Sequence, residues 1–367
     1  EEIPLTAEQE RLYTASQWRL VWMRFRRHKL AVVSLVVLAL LYGSILISEV
    51  LAPYTLDSRH ASHVYAPPQP VQLFHEGRFV GPFVYPLSFE LNLETMQRDY
   101  TFDRSEPQPL RWFCRGEPYR FWGTFEGDWH LFCPPEGGTA FLLGTDRLGR
   151  DMLSRILHGA RISLTIGLFG VAVSFVLGVT LGGLAGYVGG LIDGVIQRTI
   201  EVIRSFPVIP LWMALSAALP VSWDPLWVYF GITIILGLVD WPGLARAVRG
   251  RILSLREEDF AQAAIFMGAR PRRVIGRHLV PSFASHLIAS VTLAIPTMIL
   301  GETALSFLGL GLRPPITSWG VLLTEAQNIN AVALYPWLML PVVPVILVVL
   351  AFNFVGDGLR DAADPYS

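Results

Sequence analysis

The residues of this sequence that could do chemistry are not spaced for catalysis. The sequence contains no Walker A loop, no dinucleotide-binding glycine fingerprint, no cysteine and histidine set with metal-ligand spacing, and no nucleophile–base cluster. The densest charged segment of its second half is 254–281, with three acids and five arginines. This charged segment favours a surface that docks a partner. Because the catalytic and ligand-binding motifs are missing, we expect no catalytic residue, metal or cofactor in the chain itself.

Two short helices joined by a turn must position these charges. Ser254 is predicted to cap the first helix, with Glu257 completing a capping box. Gly268 is placed to end that helix in a left-handed conformation, and Pro271 suits the first turn of the next. Pro281 is predicted to stop the second helix.

Small residues on the first of these helices would let another surface approach its backbone, and they are Ala261, Ala263 and Ala264. A docking helix is one interpretation of the segment, and a solvated connecting loop is the alternative. A DNA-reading helix-turn-helix is disfavoured, because apolar spans on both sides would hold it against a bilayer.

Composition predicts an all-α polytopic membrane protein. The 367 residues are 52% hydrophobic, and the net charge of −1 gives no indication of nucleic-acid binding. Six apolar runs are predicted to span the membrane, at 30–51, 162–187, 195–219, 226–244, 287–300 and 334–355. Arginines before the first span and in the 246–282 loop place both termini in the cytoplasm, 1–29 and 357–367 being the terminal segments.

Residues near the N-terminus and along the second span have helical spacing. Trp18, Trp22 and Phe25 predict an amphipathic helix at the membrane interface, with a disordered tail as the alternative. The second span carries a stripe of small residues every four positions, which predicts close helix packing within the chain or between subunits. Its members are Gly170, Ser174, Gly178, Gly182, Gly186 and Gly190.

Residues 52–155 are predicted to lie outside, with an extra-membranous insertion at about 71–140. Cys114 and Cys133 fall in this compartment, where disulfides persist, so we expect them to be bonded. We expect its aromatic residues to form the core of a small β-rich subdomain rather than a stacking surface. They include Trp112, Phe113, Tyr119, Phe121, Trp122, Phe125, Trp129 and Phe132.

The charged segment resembles the "EAA" loop of ABC importer permeases. Gln262 stands before Ala263 and Ala264 in place of the usual first Glu, as is common in the peptide branch of that family. Segments 143–164, 302–320 and 356–365 resemble the C-type permease of the dipeptide/oligopeptide branch. The resemblance covers most of 20–52 and 141–367. It implies ATPase coupling through Glu257, Phe260, Ala263, Ala264, Gly268, Ile275, His278 and Pro281. It also implies an outward-facing signature formed by Gly144, Thr145, Asp146, Gly149, Arg150 and Asp151, whose residue types also suit a turn and a helix cap.

The resemblance implies a permease core at 156–356 in a bacterial inner membrane. It further implies a second permease of the same fold, a periplasmic binding protein, and two ATPase subunits that bind ATP and Mg²⁺. Oligopeptides are the implied substrates, while opines, oligosaccharides or nickel stay open. An ion-coupled secondary transporter is the alternative class, but Asp240 and Glu302 lie toward span ends rather than at a span centre.

Overall fold

The computed structural model describes residues 17–94, 97–220 and 222–363. Its helices, in chain order, are α1 (Gln17–Arg27), α2 (Lys29–Leu46), α3 (Ser48–Leu51), α4 (Met152–Val188), α5 (Gly190–Ser205), α6 (Val208–Ala217), α7 (Pro225–Leu255), α8 (Asp259–Phe266), α9 (Pro271–Arg273), α10 (Val280–Ser282), α11 (Ala284–Phe307), α12 (Trp319–Leu323), α13 (Ile329–Leu334) and α14 (Val342–Ala363). A π-helical turn, Val274–Leu279, joins α9 to α10.

The described residues contain five helical segments that are long and apolar enough to cross a membrane, which confirms a polytopic helical protein. They are α2, α4, α7, α11 and Pro336–Ala363, which ends in α14. The number of candidate spans is six if α5 and α6 are counted as one span despite the 90° bend between them. Pro207 lies between the two helices in an extended conformation and produces this break.

The fourth span continues further than its apolar run. Helix α7 extends to Leu255, so the first ten positions of the predicted 246–282 loop are helical. Arginine is a good helix former, and Arg249 forms a bidentate ion pair with Asp193 of α5. The connection that leaves the helices therefore starts at Arg256. The predicted tail 357–367 is likewise helical as far as Ala363.

The amphipathic helix predicted near the N-terminus is present as α1. Trp18 and Trp22 are about half exposed, whereas Phe25 is buried. Residues 1–16 lie outside the described residues.

The chain divides into two compact units. One comprises the described parts of 1–39, 166–302 and 346–367, and the other comprises 40–165 and 303–345, apart from the undescribed 95–96. The first holds most of the helical spans, and the second contains all seven strands that the structure describes.

The insertion forms antiparallel strands. They are β1 (Gln72–His75), β2 (Arg78–Val84), β3 (Leu87–Asn92), β4 (Gln97–Phe102), β5 (Gln108–Pro109), β6 (Arg111–Phe121) and β7 (Phe125–Cys133). They pair as a three-stranded sheet β1-β2-β5 and as two hairpins, β3-β4 and β6-β7. A disulfide joins Cys114 to Cys133, as predicted.

The β6-β7 hairpin is held by a charged group that the sequence analysis did not identify. Arg161 of α4 binds Glu49 of α3 through both Nη atoms (2.8 and 2.7 Å) and stacks over the Trp122 ring at 4.0 Å. Trp122 donates its backbone N–H to Glu49 and its indole N–H to the Leu46 carbonyl. The sequence indicated this group only through Glu49, an acid at the end of the first apolar run.

The insertion is rich in β-strands, as predicted, but five of the eight aromatic residues that were expected to form its core are exposed, so that part of the prediction is wrong. Trp112, Phe113, Trp122, Phe125 and Trp129 are between about half and three-quarters exposed. A two-stranded ribbon has two faces and only one can pack against α3, so the remaining face stays open.

Glycines of α4 allow close approach of α7, within one unit of the chain. A Cβ on Gly178 would meet the Leu244 side chain at 2.8 Å, and one on Gly186 would meet the Arg249 carbonyl oxygen at 2.8 Å. Gly182 faces the Ala245 backbone in the same way. Gly170 contacts Met298 of α11 less closely. Gly190 was wrongly included: it follows the end of α4, its φ is +57°, and a Cβ there would meet nothing within 4 Å.

Candidate functional site

The charged segment occupies residues 256–283, between the end of α7 and the start of α11. We call it the connecting hairpin. Its first helix, α8, ends where predicted: Gly268 has φ +78°, and its successor Ala269 donates its N–H back to the Ala264 carbonyl at 3.0 Å. Pro271 occupies the first turn of α9, as predicted.

Two of the predicted helix boundaries in the hairpin are wrong. Ser254 lies inside the last turn of α7, and α8 is instead preceded by Glu258, whose side chain makes no capping bond. The predicted capping box therefore does not form, and Glu257 pairs with its neighbour Arg256 at 2.9 Å. Pro281 lies within α10, because proline is tolerated in the first turn of a helix.

One face of the hairpin is buried against the helices that flank it. Ala261 and Ala264 are fully buried in a cluster with Ile252 of α7 and Leu287 of α11. Ile275 approaches Gly183 of α4, where a Cβ would lie 3.2 Å from its side chain. Ala264, assigned to docking from sequence, therefore anchors the hairpin to the helices.

The opposite face presents apolar side chains to the exterior. Phe266 and Met267 are 85% and 81% exposed, and Phe260 and Ile265 are more than one-third exposed. Ala263 is also exposed, and His278 is half-buried. The family resemblance did not assign Ile265, Phe266 or Met267 to ATPase coupling. Their signal in the sequence is an apolar triplet directly before the helix-ending glycine.

Charge flanks this apolar group on both sides. Glu257, Glu258 and Asp259 are exposed before it, and exposed arginines follow it, namely Arg270, Arg272, Arg273 and Arg277. An apolar centre with a charged rim is the usual anatomy of a protein interface. The hairpin can thus dock a partner on one face while its other face contacts the membrane-spanning helices.

The signature stretch, 144–151, is a turn held by many hydrogen bonds, and it lies in the unit formed by 40–165 and 303–345. Asp146 is buried and accepts hydrogen bonds from the backbone of Leu148 and Arg150 (2.8 and 2.9 Å), from Arg150 Nε (2.7 Å) and from Arg155. The Thr145 hydroxyl accepts from the Ala66 N–H at 2.7 Å. Gly144 and Gly149 adopt left-handed φ values of +76° and +69°. The turn-and-cap interpretation thus accounts for these residue types.

Asp151 directly precedes α4, and its carboxylate accepts the backbone N–H and the hydroxyl of Ser154, both at 2.7 Å. Burial raises the pKa of Asp151 from its ordinary 3.8 to about 7, against the lowering effect of the Ser154 bonds. The folded protein therefore retains a proton that the unfolded chain has released, and stability falls as pH rises from about 4 to about 7.

We expect this group to destabilise the protein at pH 8 relative to pH 5 by up to about 2.7 kcal/mol, because only the interval from pH 5 to the folded-state pKa of about 7 contributes, two pH units at 1.36 kcal/mol each. Thermal unfolding of the purified protein between pH 5 and 8 measures the effect. Asp151→Asn should flatten the profile, and Asp128→Asn, at a half-buried aspartate of β7, should leave it unchanged. An Asp151→Asn profile as steep as the wild type would contradict the assignment.

Together, the spans and the connecting hairpin define a polytopic membrane protein that exposes an apolar surface between two of its helices. Residues 178–366 match the family described as binding-protein-dependent transport system inner membrane component, and 16–68 match the N-terminal transmembrane domain of oligopeptide transport permease C. The chain belongs to this family of importer permeases.

Several curated relatives are permeases of peptide transport systems. The chain is 39% identical to the oligopeptide transport system permease protein OppC of Haemophilus influenzae over 69% of this chain and 80% of that protein. It is 41% identical to the dipeptide transport system permease protein DppC of Alkalihalophilus pseudofirmus, over 60% and 71%. A chain of the MetNI methionine ABC transporter aligns with a TM-score of 0.45 at 19% identity, covering 57% and 97%, which is too distant to support an argument.

One relative aligns with nearly the whole chain. The dipeptide transport system permease protein DppC of Lactococcus lactis is 31% identical over 94% of this chain and 89% of its own length.

Proposed function

We propose that this chain forms half of the translocation pathway of an ATP-driven importer for oligopeptides. A homologous second permease supplies the other half, two cytoplasmic ATPase subunits bind ATP and Mg²⁺, and a periplasmic binding protein delivers the substrate. Both termini and the connecting hairpin lie in the cytoplasm. The chain itself carries out translocation and no bond chemistry.

The observation that carries this proposal is the two-faced hairpin. Its exposed Phe266 and Met267 suit a groove on a soluble partner, while buried Ala261 and Ala264 fix it to α7 and α11. Movement of a docked ATPase would thus pass directly into the membrane-spanning helices. Peptides are favoured as substrates because relatives carry oligopeptide, dipeptide and glutathione transport names.

Purification of the tagged chain from its native membrane tests the assembly. We expect a second permease and an ATPase to co-purify, and peptides to compete for ATP-dependent uptake in reconstituted vesicles. A chain that purifies alone, with uptake driven by an ion gradient, would contradict the proposal. Competition by an opine, an oligosaccharide or nickel instead of peptides would correct only the substrate.

The β6-β7 hairpin is proposed to form part of the landing surface for the binding protein. Its open face carries exposed aromatic residues and the exposed arginines Arg115 and Arg120, a composition typical of binding hot spots. A cap that only stabilises the permease pair is the competing role.

We expect Phe113→Asp together with Phe125→Asp to reduce ATPase stimulation by the loaded binding protein at least about tenfold, because the loss of even one hot-spot aromatic, about 2 kcal/mol, exceeds the 1.4 kcal/mol that corresponds to a factor of ten. Assembly with the second permease should not change. Leu93→Asp, at an equally exposed apolar position outside this hairpin, is the control.

Excision of 71–140 is also feasible, because the flanking Gln69 and Phe141 are hydrogen-bonded to each other at 2.8 Å. A trimmed permease that assembles and is stimulated at the wild-type level would eliminate the docking role.

A further inference from the structure

The unit formed by 40–165 and 303–345 contains a cavity of about 470 Å³. One wall comes from the signature stretch and the first turn of α4, and the other from residues 306–331. Its volume is in the range of pockets that hold small molecules. The residues that matter most to its chemistry are Arg147, Arg150, Arg155, Arg313, Glu325 and Asn328.

Positive charge exceeds negative charge around this cavity. Arg150 and Arg155 share the single carboxylate of Asp146, and Arg147 lies 3.5 Å from Glu325. Arg313 makes no ion pair among the described residues and donates only to the Gly309 carbonyl, at 3.3 and 3.1 Å. Four guanidinium groups against two carboxylates leave an excess of two positive charges.

Two buried polar atoms at the cavity are unsatisfied. Arg155 has a side chain only 5% exposed, and its Nε has no hydrogen-bond partner among the described residues. The same holds for Oε2 of Glu325. Burial, reinforced by Asp146, raises the pKa of Glu325 and so weakens its negative charge. A buried donor without a partner is costly, so the Arg155 guanidinium is incompletely neutralised where its side chain lines the cavity.

Two of the arginines, Arg150 and Arg155, are held in place before any ligand arrives. Asp146 is fixed by two backbone N–H groups and in turn orients Arg150 and Arg155. Preorganised guanidinium groups bind carboxylates and phosphates with little loss of entropy, through paired N–H donors. The ligand group that fits the cavity is therefore a single small anion, a carboxylate or a phosphate, that can accept two parallel N–H donors.

We propose that this cavity binds the terminal carboxylate of a short peptide, with Arg155 and Arg313 as the principal donors. This inference rests on the proposed peptide transport, and it adds a substrate contact within the permease itself. A phosphate, free or in a lipid headgroup, shares the anionic chemistry and is the competing ligand.

The test is calorimetric titration of the full-length chain in lipid nanodiscs with dialanine, dialanine amide and inorganic phosphate as separate probes. We expect dialanine to bind and its amide, which lacks the carboxylate, to bind at least about tenfold more weakly. Arg313→Gln should weaken dialanine binding about tenfold without changing the unfolding temperature, because Arg313 is exposed and pairs with no acid in the part of the chain that the structure describes. Arg120→Gln, an exposed arginine of the β6-β7 hairpin, is the control.

Equal binding of dialanine and its amide, absence of dialanine binding, or an unchanged affinity in Arg313→Gln would each overturn the site. Displacement of dialanine by phosphate at equal concentration would overturn the peptide assignment in favour of a general anion site. Peptide uptake by the assembled importer is measured separately. Normal uptake alongside failed titration would reject this cavity while leaving the proposed function intact.

Discussion

Ala263→Arg is expected to reduce ATP-driven uptake at least about tenfold while leaving the permease folded. Ala263 lies on the exposed face of α8 beside Phe266, so a long charged side chain there would block the approach of a partner. Uptake and ATPase activity of the reconstituted complex, together with co-purification of the ATPase, provide the measurement. Phe266→Asp should act in the same way, because it places a charge at the centre of the apolar group.

The neighbouring residue gives a matched control of opposite behaviour. Ala264 is buried against α7 and α11, so Ala264→Arg should prevent folding of the permease, whereas Ala263→Arg should only uncouple transport from ATP hydrolysis. Ala263→Ser should behave as the wild type. If Ala263→Arg left ATPase association and uptake intact, the docking role of this face would be wrong.

Gly182→Ala is expected to destabilise the protein by about 2 kcal/mol or more, a large effect for one methyl group. The added Cβ would lie 2.9 Å from the Cα of Ala245 and closer still to its carbonyl oxygen, so the backbones of α4 and α7 would have to separate. The midpoint of thermal unfolding and the yield of folded protein measure the effect.

The same substitution at Gly250 should have the opposite sign. That glycine lies in α7, and a Cβ there would meet nothing within 4 Å. Gly250→Ala is therefore expected to be neutral or stabilising by about 0.5–1 kcal/mol, the usual gain of alanine over glycine inside a helix. Equal stability of the two variants would show that α4 and α7 do not depend on this close approach.

Local features of the fold could be predicted from the sequence. Runs of apolar residues located the membrane-spanning helices, because each span must bury about 20 residues whatever surrounds it. Gly268 and Pro271 fixed the turn of the connecting hairpin, because backbone conformation at these residues depends on their own stereochemistry. The family could likewise be recognised from ordered motifs alone.

Contacts between distant residues were decided only by the tertiary structure. Helical periodicity could not show that Ala264 faces inward and Ala263 outward, because small residues suit either environment. Glu49 and Arg161, 112 positions apart, meet only because α3 and α4 pack together. The cavity beside Arg155 arises in the same way, from two segments about 150 residues apart. Spacing along a chain fixes which residues share a helix face, whereas the packing of elements fixes what that face meets.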